Sequence, residues 1–201
     1  MVAIVGYTNA GKSTLLNALT DADVLSADML FATLDPTTRK VKMPGGREVL
    51  FTDTVGFIQK LPTEIVAAFR ATLEEITEAD ILLHVVDATH ANAIAQIDAV
   101  EDTLAELEVD HLPLVTAFNK ADLLPPGRDP LRELDVAGPA VVVSAATGLG
   151  LNALLAAIEG VMVGTMQPVQ VQLPYQRGDL LSLFYERGQV DEEIHAEGGL
   201  G

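Results

Sequence analysis

The chain has 201 residues, room for one well-buried core with a small appendage or two modest domains, and its 49% hydrophobic and 20% charged residues describe a soluble globular protein. Cysteine and tryptophan are absent, which excludes disulfides, thiolate metal sites and cysteine catalysis and suits a reducing, cytoplasmic compartment. The formal net charge is -17, and because six acids and six bases balance over residues 1–60 the excess lies wholly beyond them; so acidic a surface argues against autonomous nucleic-acid binding by phosphate neutralisation.

Val2 to Val5 is a short apolar strand, and Thr14 to Leu19 has apolar positions at helical spacing. Between them runs Gly6-Tyr7-Thr8-Asn9-Ala10-Gly11-Lys12-Ser13, which fits the G-x-x-x-x-G-K-[ST] phosphate-loop pattern in its proper strand–loop–helix context. Gly6 and Gly11 permit tight curvature and close approach of phosphate, Lys12 reaches the terminal phosphates, and Ser13 offers a hydroxyl to Mg²⁺. No apolar run is long enough for a membrane span. The phosphate-loop strand begins at residue 2, with no signal peptide before it, so an upstream domain is either missing or was never there.

Thr20 to Thr38 lacks clean periodicity and reads as a loop over the nucleotide. Arg39–Met43 and Glu48–Thr52 look like a hairpin joined by Pro44-Gly45-Gly46, leading into Asp53-Thr-Val-Gly56. Pro62 followed by Ile65, Ala68, Phe69, Thr72, Leu73 and Ile76 predicts an amphipathic helix. Ile81 to Val86 is a continuous apolar run ending at Asp87, as in a central parallel strand. Ile94, Ile97, Val100, Leu104 and Leu107 form a helical stripe, and Leu112 to Phe118 is a strand ending at Asn119-Lys120-Ala121-Asp122. After the breaker-rich Leu124–Pro130 come a short helix over 131–134, a strand over 140–143 ending at Ser144-Ala145-Ala146, and a helix over 149–158. Strands alternating with helices imply an α/β fold with a mostly parallel, three-layer arrangement over residues 1–160. Residues 161–201 read as a small α+β domain, cut short or packed on the first: a linker over 161–168, strands over 169–173 and 188–194, and a helix over 179–185.

Asn119-Lys120-x-Asp122 is the base-reading signal. A carboxylate at Asp122 accepts two hydrogen bonds from the guanine N1–H and exocyclic amine, a pair that adenine does not present. Asn119 is expected at the base edge and the neighbouring loop, with the stem of Lys120 over the ring. Ser144, Ala145 and Ala146 are expected to supply a backbone N–H to the guanine oxygen, Ser144 also bracing the Asp122 loop. Asp53 is expected to reach Mg²⁺ through water and the Gly56 N–H to meet the γ-phosphate. A threonine before Arg39 completes the metal shell: Thr33, or alternatively Thr37 or Thr38. Gly6 to Thr14 thus hold the phosphates; Ser13, Thr33 and Asp53 are the metal set, and Asn9, Lys12, Thr33 and Gly56 are the catalytic candidates. His84 and His111 read as packed or surface side chains.

The chain resembles the GTPase domain of the HflX family. The resemblance rests on Gly6 to Thr14, Phe31-Ala-Thr-Leu-Asp-Pro-Thr-Thr-Arg39, Asp53-Thr-Val-Gly-Phe-Ile58, Phe69-Arg-Ala-Thr-Leu-Glu74 and His84-Val-Val-Asp-Ala88. Gly178 to Gly188 resembles that family's small C-terminal domain. This implies the P-loop NTPase fold of the small GTPase type, a GTP/GDP ligand with Mg²⁺, and association with the large ribosomal subunit to split or rescue stalled ribosomes. It also implies an N-terminal domain and helical linker that are not in this sequence.

Phe57 stands where many GTPases have a water-orienting Gln, so unaided turnover is expected to be slow, as the family's stimulation by ribosomes also implies. Asn9 is a candidate to direct a K⁺ ion beside the phosphates, or else to brace the switch loop. The competing readings are a non-hydrolysing switch or structural module, and an Era-like or FeoB-like role.

Overall fold

The computed structural model describes residues 1–20, 37–54, 76–165, 169–174, 176–187, 190, 192–196 and 199–200. It divides into two compact units, Met1–Glu159 and Gly160–Gly201.

The first unit is built on a six-stranded sheet. In chain order its elements are β1 (Val2–Val5), α1 (Lys12–Leu19), β2 (Thr37–Lys42), β3 (Glu48–Asp53), β4 (Ile81–Asp87), α2 (Ala93–Glu106), β5 (Leu114–Asn119), α3 (Pro130–Glu133), β6 (Ala140–Val142) and α4 (Leu151–Gly164), which runs on into the second unit from Gly160. The strand order is β2-β3-β1-β4-β5-β6, with only β2 antiparallel to its neighbour. Six consecutive residues of β4 are buried, because parallel strands are covered by helices on both faces. On one face Ala3, Val5, Leu82, Val100 and Leu104 form one apolar cluster, and Val86, Ala93, Ile97, Phe118 and Leu134 form another. Between the two lie His84 of β4 and Thr116 of β5, opposite each other in register. Both are buried, and neither imidazole nitrogen nor the threonine hydroxyl has a hydrogen-bond partner among the described residues. Residues alternate across a strand, so this polar pair interrupts one apolar face of the sheet beneath α2.

The hairpin turns at Pro44-Gly45-Gly46, where Gly46 N–H donates to the Met43 carbonyl and Met43 N–H to the Arg47 carbonyl. Gly45 N–H donates to both carboxylate oxygens of Glu159 on α4, at 3.0 and 3.1 Å.

Four expectations are corrected. Ile94 is 60% exposed, and Ala93 takes the buried place with Ile97, Val100 and Leu104; spacings of four, three and four put Ala93 on the stripe and rotate Ile94 off it. The expected linker over 161–168 is helical as far as Gly164; a helix tolerates Gly160 at a cost of ~1 kcal/mol, so that glycine is no stop. Residues 169–173 form no regular strand. Of the strand expected over 188–194, residues 190 and 192–194 are irregular and the rest lie outside the described residues; the pairing described after α5 (Gly178–Arg187) is between β7 (His195–Ala196) and β8 (Gly199–Leu200). The helix expected from Pro62 to Ile76 lies almost wholly outside the described residues. No described helix is long and apolar enough to cross a membrane.

Candidate nucleotide-binding site

Parallel strands direct their C-terminal ends to one edge of the sheet, where such folds bind ligands. Residues 6, 53, 119 and 144 all follow or end β1, β3, β5 and β6 there. The phosphate loop leaves β1 at Gly6 with φ 148, and a Cβ at that position would collide with the Val85 carbonyl oxygen of β4. Only glycine lets the loop pass so close. Ala10 N–H returns to the Tyr7 carbonyl at 3.2 Å, and Asn9, exposed, takes a left-handed φ of 62. Gly11, also left-handed, caps α1 without any side-chain hydrogen bond, so the positive end of the helix opens onto the loop.

Lys12 folds back under this loop, its ammonium donating to the carbonyls of Gly6 at 3.1 Å and Tyr7 at 3.2 Å. Burial pushes its pKa down to about 8, against an opposing pull from Asp53. Ser13 Oγ donates to Asp53 Oδ2 at 2.6 Å. The β1–β3 register pairs Ile4 with Asp53, and Thr54 Oγ1 donates to the Ile4 carbonyl at 2.6 Å. A hydroxyl and a buried carboxylate side by side are hard oxygen donors, a set that fits Mg²⁺. Thr33 and Gly56, expected to complete this end, lie outside the described residues, as does Phe57. Of the alternative threonines, Thr38 shares a hydrogen bond with Thr52 across the hairpin at 2.9 Å.

At the base end, Asn119 is a bridge. Its Nδ2 donates to the Ala10 carbonyl at 2.9 Å, and its Oδ1 accepts from Ala145 N–H at 3.0 Å. A Cβ on Gly11 would strike that same Nδ2, so the second glycine makes room for Asn119. Ser144 Oγ donates to Asp122 Oδ1 at 2.6 Å and accepts from Thr147 N–H at 3.2 Å. Of the three amides expected near the guanine oxygen, Ser144 N–H is taken by the Leu149 carbonyl and Ala145 N–H by Asn119, while Ala146 N–H enters none of these bonds. Asp122 is exposed toward solvent.

Lys120 is left-handed with φ 64, and its ammonium donates to Asp87 Oδ2 at 2.7 Å. Oδ1 of Asp87 accepts from Thr89 N–H at 2.9 Å and Thr89 Oγ1 at 2.6 Å. Burial alone would raise the pKa of this carboxyl; the Lys120 and Thr89 hydrogen bonds outweigh it and hold the group below its ordinary value. No role for Asp87 follows from the sequence motifs. The signal for it is a lone acid closing an otherwise apolar run, one residue short of the register of Lys120. His84 is held as a neutral imidazole: burial, with the nearby Lys12 charge, lowers its pKa to about 4.

A profile described as a 50S ribosome-binding GTPase matches residues 1–120, and one described as the HflX C-terminal domain matches residues 133–200. GTPase HflX of Caldanaerobacter subterraneus subsp. tengcongensis is 47% identical over 203 residues, covering 100% of this chain and 45% of that protein. GTPase HflX of Escherichia coli K12 is 41% identical over 199 residues, covering 98% of this chain and 47% of that protein. The chain therefore spans less than half the length of these relatives. Among solved structures, a GTP-binding protein from Sulfolobus solfataricus in complex with GDP superposes with a TM-score of 0.67 at 28% identity, over 82% of this chain and 53% of that one. A point variant of Aquifex aeolicus Era bound to GDP.AlF4- shares the fold, with a TM-score of 0.61 at 22% identity over 84% of this chain and 57% of that one. The fold is that of a P-loop GTPase, with a mostly parallel sheet and a small α+β appendage. Within that class, the chain belongs to the HflX family, of which it carries the GTPase domain and the C-terminal domain.

Proposed function

We propose that this chain binds GTP and GDP at the edge formed by β1, β3, β5 and β6, and hydrolyses GTP slowly until a partner stimulates it. The observation that carries this reading is the Asn119 bridge, which joins the phosphate loop at Ala10 to the base loop at Ala145. One side chain thereby fixes the distance between the two ends of a nucleoside triphosphate site. Asp122, oriented by Ser144, is the guanine-reading carboxylate, and Ala146 N–H is the donor available to the guanine oxygen. Lys12, the α1 N-terminus and the loop amides meet the phosphates. Ser13 and Asp53, with Thr33 as the expected third group, would hold Mg²⁺, which when bound neutralises charge on the transferring phosphate.

Phe57 offers no side chain able to orient the attacking water, so the stimulating partner has to order the site. The family supports the large ribosomal subunit as that partner in the intact protein, with splitting or rescue of stalled ribosomes as the outcome and the cytoplasm as the setting. Titration with fluorescent GDP, GTP and ATP analogues tests the base choice. Hydrolysis with and without purified large subunits, beside a chain with the upstream domain restored, tests the rest. Equal affinity for ATP and GTP would overturn the guanine assignment. A rate unmoved by the subunit even with that domain present would overturn the ribosomal one.

A further inference from the structure

Asp87 is the one acid of β4, and the β4–β5 register sets it directly opposite Asn119. Ala88 N–H donates to the Asn119 carbonyl at 3.1 Å, which locks the two strand ends together just before the chain turns at Lys120. Thr89 holds Oδ1 through two hydrogen bonds, so the carboxylate cannot rotate freely and Oδ2 is left facing Lys120. The pair is partly sheltered, with side chains 13% exposed for Asp87 and 31% for Lys120. Lys120 itself takes a left-handed φ of 64, a strained backbone region for a residue with a Cβ.

We propose that Asp87 is a positioning residue for the nucleobase: it draws the Lys120 ammonium to the end of β4 and so lays the lysine stem across the place where the guanine ring sits. Thr89 is part of the same device, because it aims the carboxylate. The inference rests on the nucleotide site proposed above. Asp87 acts at the base end only, so its loss weakens every ligand that carries guanine and leaves a bare phosphate chain unaffected.

The test compares the wild-type chain with Asp87→Asn, Lys120→Met and the double variant, titrated with GDP, GTP and inorganic tripolyphosphate. Asparagine keeps the shape and can still accept from Thr89. A charge-assisted hydrogen bond contributes ~1.5–3 kcal/mol, so GDP and GTP affinities should fall by about tenfold or more in Asp87→Asn. Tripolyphosphate affinity should be unchanged, and in steady-state hydrolysis the loss should fall on KM rather than kcat, because the reacting phosphate lies at the other end of the ligand. The double variant should be no weaker than Lys120→Met alone. GDP affinity equal to wild type, a parallel loss for tripolyphosphate, or additive losses in the double variant would each overturn the proposal. If the wild-type chain itself shows no preference for guanine nucleotides over tripolyphosphate, the nucleotide site falls, and the role of Asp87 with it; that result is distinct from the other three.

Discussion

Ser144 Oγ donates to Asp122 Oδ1 at 2.6 Å, so a residue at the end of the last strand of the sheet aims the carboxylate that follows β5. Asp122→Asn should weaken GTP binding by at least ~2 kcal/mol, since a charged acceptor is lost. It should also improve the relative affinity for xanthosine triphosphate, whose base presents an acceptor where guanine has its amine. Ser144→Ala should cost less, about 1 kcal/mol, because it removes only the brace. Titrating both variants with the two nucleotides checks the assignment, which unchanged GTP affinity in Asp122→Asn would refute.

Lys12 and Ser13 should separate on mutation. Lys12→Ala removes the cation nearest the phosphates and should impair GTP binding itself. Ser13→Ala breaks the contact with Asp53 and should chiefly damage Mg²⁺-dependent binding and turnover. Affinities measured with Mg²⁺ and with a chelator distinguish the two; identical profiles would dissolve the division of labour. Equal hydrolysis by wild type and both variants would mean that a contaminant supplies the activity.

The lowered pKa of Lys12, about 8 against an ordinary 10.5, makes nucleotide binding proton-linked. In the ligand-free chain the amine loses its proton as pH rises through ~8, whereas phosphate beside it favours the ammonium. Binding should therefore take up protons above pH ~8 and weaken as pH rises further, with little linkage at pH ~6. Between ~8 and ~10.5 the unfolded chain binds more protons than the folded one, so this residue alone makes the ligand-free protein more stable as pH rises. Calorimetry in buffers of different ionisation enthalpy measures the uptake directly. Heats independent of buffer at alkaline pH would contradict it.

His84 titrates in the opposite part of the scale. Its pKa is about 4 when folded and 6.5 when not, so the unfolded chain binds the extra proton between those values. Stability should fall as pH drops from 6.5 toward 4, by on the order of 3 kcal/mol over the whole window. Its two ring nitrogens have no partner among the described residues, so His84→Leu removes an unsatisfied polar group and should flatten the acid slope at little cost near neutrality. Urea unfolding at pH ~7 and ~5 compares the two chains. An undiminished slope in His84→Leu would place the proton elsewhere.

Asn9 stands exposed at the tip of the phosphate loop with its left-handed φ of 62. If its side-chain oxygen directs K⁺ to the phosphates, K⁺ should stimulate turnover and Na⁺ at equal ionic strength should not, and Asn9→Ala should abolish the difference. Rates under saturating GTP and Mg²⁺ decide it. Equal rates in the two salts would leave partner-induced ordering as the source of catalysis.

Much of the candidate site was legible because its signals are local. The glycine loop between β1 and α1, the apolar run of β4 and the Asn119–Asp122 turn each lie within a few consecutive residues. What escaped has distant and local causes. Asp87 acquires a role only because β5 sets Lys120 beside it. The outward turn of Ile94 was hidden because Ala93, a small residue, competes for the buried stripe. The helical run to Gly164 was masked by Gly160, which resembles a stop but costs the helix little. Two-residue strands such as β7 and β8 are too short to leave any periodic trace.

The first strand of the chain ends up in the middle of the sheet, between β3 and β4. β1 therefore waits, as the polypeptide emerges, for partners made much later: Phe51 first, then Ile81 opposite the same Val2. Such long-range pairing slows folding, because chain closure must precede the contacts that reward it. The phosphate loop hangs from the earliest strand and the Ser144 loop from the last, joined through Asn119. A guanine nucleotide spanning them should thus be a late-acting ligand of the fold itself, favouring the completed sheet by RT ln(1 + [L]/Kd). Nascent chains released before Ala146 would lack the base end of that support.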